Sequence, residues 1–87
     1  MTNFNEALVI LQEECAEVIQ VISKMHRFGA DNEYNGVTNR ERLTQEIADV
    51  LVLINHLCDT GVVDEKTIHR AMAKKLKKLK LYSELKL

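Results

Sequence analysis

The chain contains no proline and only three glycines among its 87 residues. These are the residues that interrupt helices, so their scarcity favours long unbroken helices. Two cysteines are too few for the disulfide framework of a small secreted domain, and we expect a reducing, cytoplasmic compartment. No apolar run exceeds five residues, and the first residues lack a signal-peptide pattern. Neither export nor a membrane span is therefore expected.

The composition is that of a globular chain, with 46% hydrophobic and 29% charged residues. A chain of this length forms one domain, residues 1–87, and buries only about 60 to 65% of its unfolded surface. Helices with so small a core often need a partner chain for stability. We therefore expect the protein to form an oligomer.

Helical periodicity defines the first helix. Apolar side chains from Phe4 to Met25 fall on one stripe at about 100° per residue, which predicts an amphipathic helix over residues 4–27. Gly29 marks its end. The following residues, 30–37, have turn chemistry and no period, which predicts a loop.

The second helix is predicted to begin at a capping box formed by Thr38 and Glu41, and to run to about Asp59 with Gly61 closing it. Its apolar residues cover most of the circumference, so it must be buried nearly all round. Two other helices of one short chain can hardly enclose it. We therefore predict an all-α fold, a helical hairpin plus a C-terminal helix, that assembles with other subunits into an intersubunit helical bundle.

The third helix is predicted over residues 65–85, with Asp64 as its N-cap. The charge of the chain divides close to this point. Residues 1–65 carry four basic and twelve acidic side chains, a sum of −8, whereas residues 66–87 carry eight basic and one acidic, a sum of +7. The first part could hold cations and the second could hold anions.

Four carboxylates form two pairs at one-turn spacing, Glu14 with Glu17 and Glu46 with Asp49. Both pairs border apolar positions, where facing carboxylates repel unless cations or protons neutralise them. Mg²⁺ takes oxygen ligands from carboxylates, waters and phosphates, so the pairs could hold ions that clamp a polyphosphate and activate a water. Such pairs are also common on solvated helix faces, and spacing alone leaves that alternative open.

The segments that carry these acids, Glu13-Glu14-Cys15-Ala16-Glu17 and Glu46-Ile47-Ala48-Asp49, resemble a known signature. They are similar to the Glu-Glu-x-x-Glu and Glu-x-x-Asp motifs of the all-α nucleoside triphosphate pyrophosphatases, the MazG-like superfamily. The resemblance covers roughly residues 4–82 and extends to the small single-domain members, including those of bacteriophages. A phage-encoded chain that acts in a host cytoplasm is compatible with this resemblance.

The resemblance implies a Mg²⁺-dependent hydrolase, with Mn²⁺ as a substitute ion, that cleaves a nucleoside triphosphate to the monophosphate and pyrophosphate. It implies Glu14, Glu17, Glu46 and Asp49 as metal ligands and Glu13 as a supporting acid that orients water. It also implies a homodimer or homotetramer with sites built between subunits. We expect a deoxynucleoside triphosphate as substrate, a role in controlling or cleaning nucleotide pools, and neither membrane nor nucleic acid as partner.

Five further side chains are candidates for substrate binding. Lys24 lies one heptad after Glu17 and could reach a phosphate, or it could be an exposed lysine at a helix end. Many relatives carry Lys, Asn and an aromatic residue at four-residue spacing in the third helix. The corresponding residues here are Lys74, Lys78 and Tyr82, so lysine replaces the Asn. Lys75 falls beside the apolar stripe, where its stem could cover the core. The segment 28–37, which includes Tyr34, could cover the base of a bound nucleotide or simply connect two helices.

A second class of function is a helical nucleic-acid-binding or assembly module that uses the lysine-rich third helix. The lysines surround that helix instead of forming one stripe, and aromatic residues are scarce, which disfavours this function. A di-iron bundle is disfavoured because it usually needs Glu-x-x-His pairs from facing helices, and no glutamate here precedes a histidine by three residues.

Overall fold

The computed structural model describes residues 1–87 and consists almost entirely of helices. The elements, in chain order, are α1 (Asn3–Phe28), β1 (Glu33–Tyr34), β2 (Val37–Thr38), α2 (Asn39–Asp59) and α3 (Glu65–Tyr82). The predicted all-α fold, a hairpin plus a C-terminal helix, is confirmed. None of the three helices combines the length and apolar character needed to cross a bilayer.

Both ends of α1 are set by local hydrogen bonds close to the predicted bounds. The Thr2 side chain accepts a hydrogen bond from the Asn5 amide at 3.1 Å, which caps the start of the helix. At the other end, Gly29 adopts a φ of +94°, and its amide donates to the Met25 carbonyl. Glycine suits this conformation because it has no Cβ to clash with the backbone.

The connection between α1 and α2 is more regular than the predicted loop. Glu33 pairs with Thr38 and Tyr34 with Val37 in an antiparallel register. The two residues between the strands are Asn35 and Gly36, and both have positive φ, +54° and +78°. Asn-Gly is a favoured dipeptide for a two-residue hairpin turn. The predicted turn chemistry is confirmed at Asn35 and Gly36, but the two strands were not predicted because strands of two residues are too short to show an alternating pattern.

The start of α2 is bonded back to the end of α1. Asn39 is buried, with 4% of its surface exposed, and its side-chain amide donates to the Gly29 carbonyl at 2.9 Å. Its backbone amide donates to the Asn32 carbonyl at 3.1 Å. An ion pair joins Arg40 Nε to Asp31 Oδ1 at 3.0 Å, and the hydrogen bond from Arg40 lowers the pKa of Asp31. These contacts fix the turn that reverses the chain.

The predicted capping box is confirmed at the beginning of α2. The Glu41 amide donates to Thr38 Oγ1 at 3.1 Å, and the Thr38 hydroxyl donates to Glu41 Oε1 at 3.2 Å. One of the free amides of the first turn is satisfied in this way.

The end of α2 and the beginning of α3 also follow the predicted signals. Gly61 has a φ of +77° and donates its amide to the Cys58 carbonyl at 3.0 Å. Asp64 caps α3 by accepting from the Thr67 amide at 2.9 Å, and this bond lowers the pKa of Asp64. The third helix ends at Tyr82, three residues earlier than predicted.

The chain divides into two compact units, Met1–His56 and Leu57–Leu87. That residues 1–87 form a single domain stays a prediction. Few side chains are buried, and large apolar ones are exposed on both helices of the hairpin. Ile19 on α1 is 69% exposed and Leu51 on α2 is 51% exposed. A second subunit would cover such side chains, and the intersubunit bundle likewise stays a prediction.

Candidate metal site in the helical hairpin

The two helices of the first unit run antiparallel, which decides which of their residues meet. Near the start of α1, Ala7 lines a cleft together with Leu53 of α2. Near the end of α1, Lys24 lines another cleft together with Arg42. From one end of the hairpin to the other, residue numbers therefore increase in α1 and decrease in α2. The two predicted acidic pairs lie between these clefts, one on each helix.

The hairpin brings the two acidic pairs together. One carboxylate oxygen from each of Glu14, Glu17, Glu46 and Asp49 lies within 4.8 Å of the others. Glu14 and Glu46 are half-buried, whereas Glu17 and Asp49 are exposed. The site therefore has a partly desolvated side and a side open to a ligand.

The electrostatics of the cluster are unfavourable without a cation. The Oε2 atoms of Glu14 and Glu46 are buried and lack a hydrogen-bond partner. Desolvation raises the pKa of Glu14, and the charges of Glu17 and Asp49 raise it further. The pKa of Glu46 is raised to about 7, first by a hydrogen bond with the Glu17 side chain, then by desolvation and by the neighbouring carboxylates. Buried polar atoms normally have partners, so these two oxygens require an explanation.

A divalent cation fits this donor set. All four side chains offer carboxylate oxygens, the hard ligands that Mg²⁺ and Mn²⁺ prefer. A bound cation would satisfy the two buried oxygens and reverse the repulsion that raises the pKa of Glu46. The exposed side of the cluster, formed by Glu17 and Asp49, is accessible to solvent.

The other predicted site residues lie in three places. Glu13 is exposed on α1 and lies outside the four-residue acidic group. Lys24 lies in the first unit, in the cleft near the turn. The four α3 candidates are exposed side chains of the second unit: Lys74, Lys75, Lys78 and Tyr82. Lys75 lines a shallow apolar groove on α3, beside the stripe as predicted. Roles in substrate binding for these residues stay predictions.

The sequence predicted that the segment 28–37 could cover a nucleotide base, but it did not predict the cleft that this segment forms at the turn end of the hairpin. We call it the turn cleft; it has a volume of about 330 Å³, and its lining residues are Lys24, Phe28, Asn32, Glu33, Tyr34, Asn39 and Arg42. Arg42 Nη2 donates to the Tyr34 carbonyl at 2.9 Å, and its guanidinium lies 5.8 Å from the centre of the Tyr34 ring. The signal available in the sequence was the position of Arg42, one turn before Glu46.

One comparison with known proteins gives a match. The family model of the MazG nucleotide pyrophosphohydrolase domain matches residues 3–81. No curated protein and no solved structure gives a significant match. The matched region contains both acidic pairs and nearly the whole chain. The chain therefore belongs to the MazG nucleotide pyrophosphohydrolase family.

Proposed function

We propose that the protein is a Mg²⁺-dependent hydrolase that cleaves a nucleoside triphosphate, expected to be a deoxynucleotide, to the monophosphate and pyrophosphate. The observation that carries this proposal is the convergence of four carboxylates within 4.8 Å, two of them with a buried oxygen that lacks a partner. Family membership supports the same reaction. A role in controlling or cleaning nucleotide pools in the cytoplasm follows from this activity.

Each acidic residue has a proposed role. Glu14, Glu17, Glu46 and Asp49 hold the ion, with Mn²⁺ able to replace Mg²⁺. The ion, when bound, neutralises phosphate charge and lowers the pKa of a coordinated water. Glu13, exposed beside the cluster on α1, orients the attacking water. The half-buried side chains of Glu14 and Glu46 keep the ligand oxygens in place.

Substrate binding is proposed for residues outside the acidic cluster. The ammonium groups of Lys24, Lys74, Lys75 and Lys78 offset the charge of the polyphosphate, and Tyr82 contacts the nucleoside. Lys74, Lys78 and Tyr82 are proposed because the family resemblance implies Lys, Asn and an aromatic residue at these positions, with lysine replacing the Asn at Lys78. Lys75 is proposed because it lies beside the apolar stripe of α3. We also propose a homodimer or homotetramer whose sites are completed between subunits, because α2 is apolar around most of its circumference.

Pyrophosphate release tests the proposed reaction. Purified protein is incubated with each dNTP and NTP in Mg²⁺, and the pyrophosphate is detected after conversion to phosphate by an inorganic pyrophosphatase. Glu14→Ala and Glu46→Ala should each lower kcat/KM by more than about 100-fold, because loss of an outer-shell partner alone costs 10- to 100-fold. Glu84→Ala is the control, since Glu84 is an exposed acid beyond the end of α3.

Pyrophosphate release and DNA binding, measured on the same variants, separate this function from a nucleic-acid-binding one. Activity that survives both substitutions would contradict the proposed reaction. Salt-sensitive DNA binding in Glu14→Ala and Glu46→Ala, together with no pyrophosphate release from the unsubstituted protein, would favour the alternative module based on α3.

A further inference from the structure

We propose that the turn cleft binds the nucleobase of the substrate, an inference that rests on the proposed function and adds a specificity site to it. The cleft belongs to the same hairpin as the acidic cluster. Lys24 follows Glu17 by seven residues, so the two Cα atoms lie about 10 Å apart along α1 at 1.5 Å per residue. Arg42 precedes Glu46 by four residues, about 6 Å along α2. A nucleotide with its phosphates at the acids can therefore place its base in this cleft.

The aromatic rings of the cleft suit base stacking. The Phe28 and Tyr34 side chains line it and remain 56% and 69% exposed. Each ring has a guanidinium nearby: Arg27 lies 5.0 Å from the Phe28 centroid and Arg42 lies 5.8 Å from the Tyr34 centroid. These cation–π contacts hold one face of each ring, and the exposed surface that remains is available to a base.

The turn cleft carries two cationic side chains, Lys24 and Arg42, and one carboxylate, Glu33. Lys24 lies nearest the acidic cluster along α1 and is the residue proposed for the polyphosphate. Glu33 contributes a carboxylate that would repel phosphate, whereas it can accept a hydrogen bond from an amino or imino group at the edge of a base. The Arg42 guanidinium is already engaged by the Tyr34 carbonyl and ring. The walls are mostly apolar, and a volume of about 330 Å³ is near the lower limit for small-molecule sites. The cleft thus fits one ring system.

Hydrogen bonds from two lining residues fix the shape of the turn cleft. Asn39 lines it, and its buried amide is bonded to Gly29 at the end of α1. Arg42 is held to the β-hairpin through the Tyr34 carbonyl. Because Tyr34 uses its backbone for that contact, truncation of its ring removes the stacking surface and preserves the hydrogen bond. This separation makes Tyr34 the most informative position to change.

Binding measurements with and without a base test the proposal. Isothermal titration in Mg²⁺ compares the α,β-imido analogue of the best-hydrolysed nucleotide with inorganic tripolyphosphate, which has no base. Tyr34→Ala and Phe28→Ala should each weaken binding of the analogue by about 5- to 140-fold, the range of lost base–aromatic stacking, and leave tripolyphosphate binding unchanged. Tyr34→Phe should retain binding of the analogue. Phe4→Ala, which removes a ring at the opposite end of α1, should match the unsubstituted protein.

The outcomes distinguish this inference from the proposed function. If the unsubstituted protein releases pyrophosphate but both ring variants bind the analogue normally, the base site is contradicted and the reaction stands. Equal losses for the analogue and for tripolyphosphate would also contradict it, because the rings would then act on the phosphate end. If the unsubstituted protein binds neither ligand, both proposals are wrong. Circular dichroism confirms that each variant is folded.

Discussion

At the scale of single residues, Glu46 shows how a carboxylate suited to binding a cation destabilises the metal-free protein. Its pKa is about 7 in the folded chain, against an ordinary value of 4.5. Across this interval the folded state binds more protons than the unfolded state, so the stability of the metal-free protein falls as pH rises from about 4.5 to about 7. The carboxylate therefore destabilises the metal-free hairpin at neutral pH, which is consistent with a residue retained for ligand binding.

Glu46→Gln should therefore raise Tm at pH 8 in EDTA by a few degrees, and the difference from the unsubstituted protein should shrink at pH 4 as Glu46 becomes protonated. Added Mg²⁺ should raise Tm of the unsubstituted protein, because a ligand that binds the folded state stabilises it. It should leave Tm of Glu46→Gln unchanged. Glu84→Gln is the charge-matched control. A lower Tm for Glu46→Gln in EDTA at pH 8 would contradict the unfavourable electrostatics inferred for the cluster.

At the scale of elements, the joint between α1 and α2 aligns the two acidic pairs. Asn39→Ala should destabilise the protein by about 1 to 2 kcal/mol, because it removes the buried hydrogen bond to the Gly29 carbonyl. Urea unfolding followed by circular dichroism measures the change. Asn55→Ala, at an exposed position on the same helix, should cost much less. Equal costs for the two variants would mean that the buried amide does not hold the joint.

The bounds of the helices were largely predictable because side chains close in sequence mark the helix ends. Thr38 and Asp64 cap helices with their own side chains, and Gly61 adopts the positive φ expected after a helix, so these ends can be recognised from adjacent residues. The buried Asn39 could not be predicted, because its burial depends on the end of α1, ten residues earlier. The contact of Arg42 with Tyr34 likewise requires the geometry of the hairpin turn.

The acidic cluster likewise could be predicted only in part from local sequence. One-turn spacing predicts that Glu14 and Glu17 share a helix side, and likewise Glu46 and Asp49. Their convergence within 4.8 Å depends on the register of the two helices, which no local pattern contains. The family resemblance supplied that pairing in advance, and the turn cleft, which no motif marks, became visible only in the folded hairpin.

At the scale of the whole molecule, the main feature is an apolar surface that a single chain does not bury. A groove between α1 and α2 is lined almost only by apolar atoms of Cys15, Val18, Ile19, Ile47, Val50 and Leu51. Soluble monomers rarely expose contiguous apolar patches of large area, and such patches mark interaction surfaces. The acidic pairs lie on the same stretches of these two helices. A second copy that covers the groove would therefore also border the proposed metal site.

Ile19→Glu should convert the predicted dimer or tetramer to a smaller species, because it places a charge at the centre of the apolar face, where its burial would be costly. Analytical ultracentrifugation measures the mass, and Gln20→Glu adds the same charge one residue away at a polar position. Pyrophosphate release by Ile19→Glu should fall together with the mass, since the site is expected to be completed by another subunit. An unchanged mass in both Ile19→Glu and Leu51→Glu would contradict assembly through this face. A smaller species with full activity would instead show that one hairpin holds the complete site.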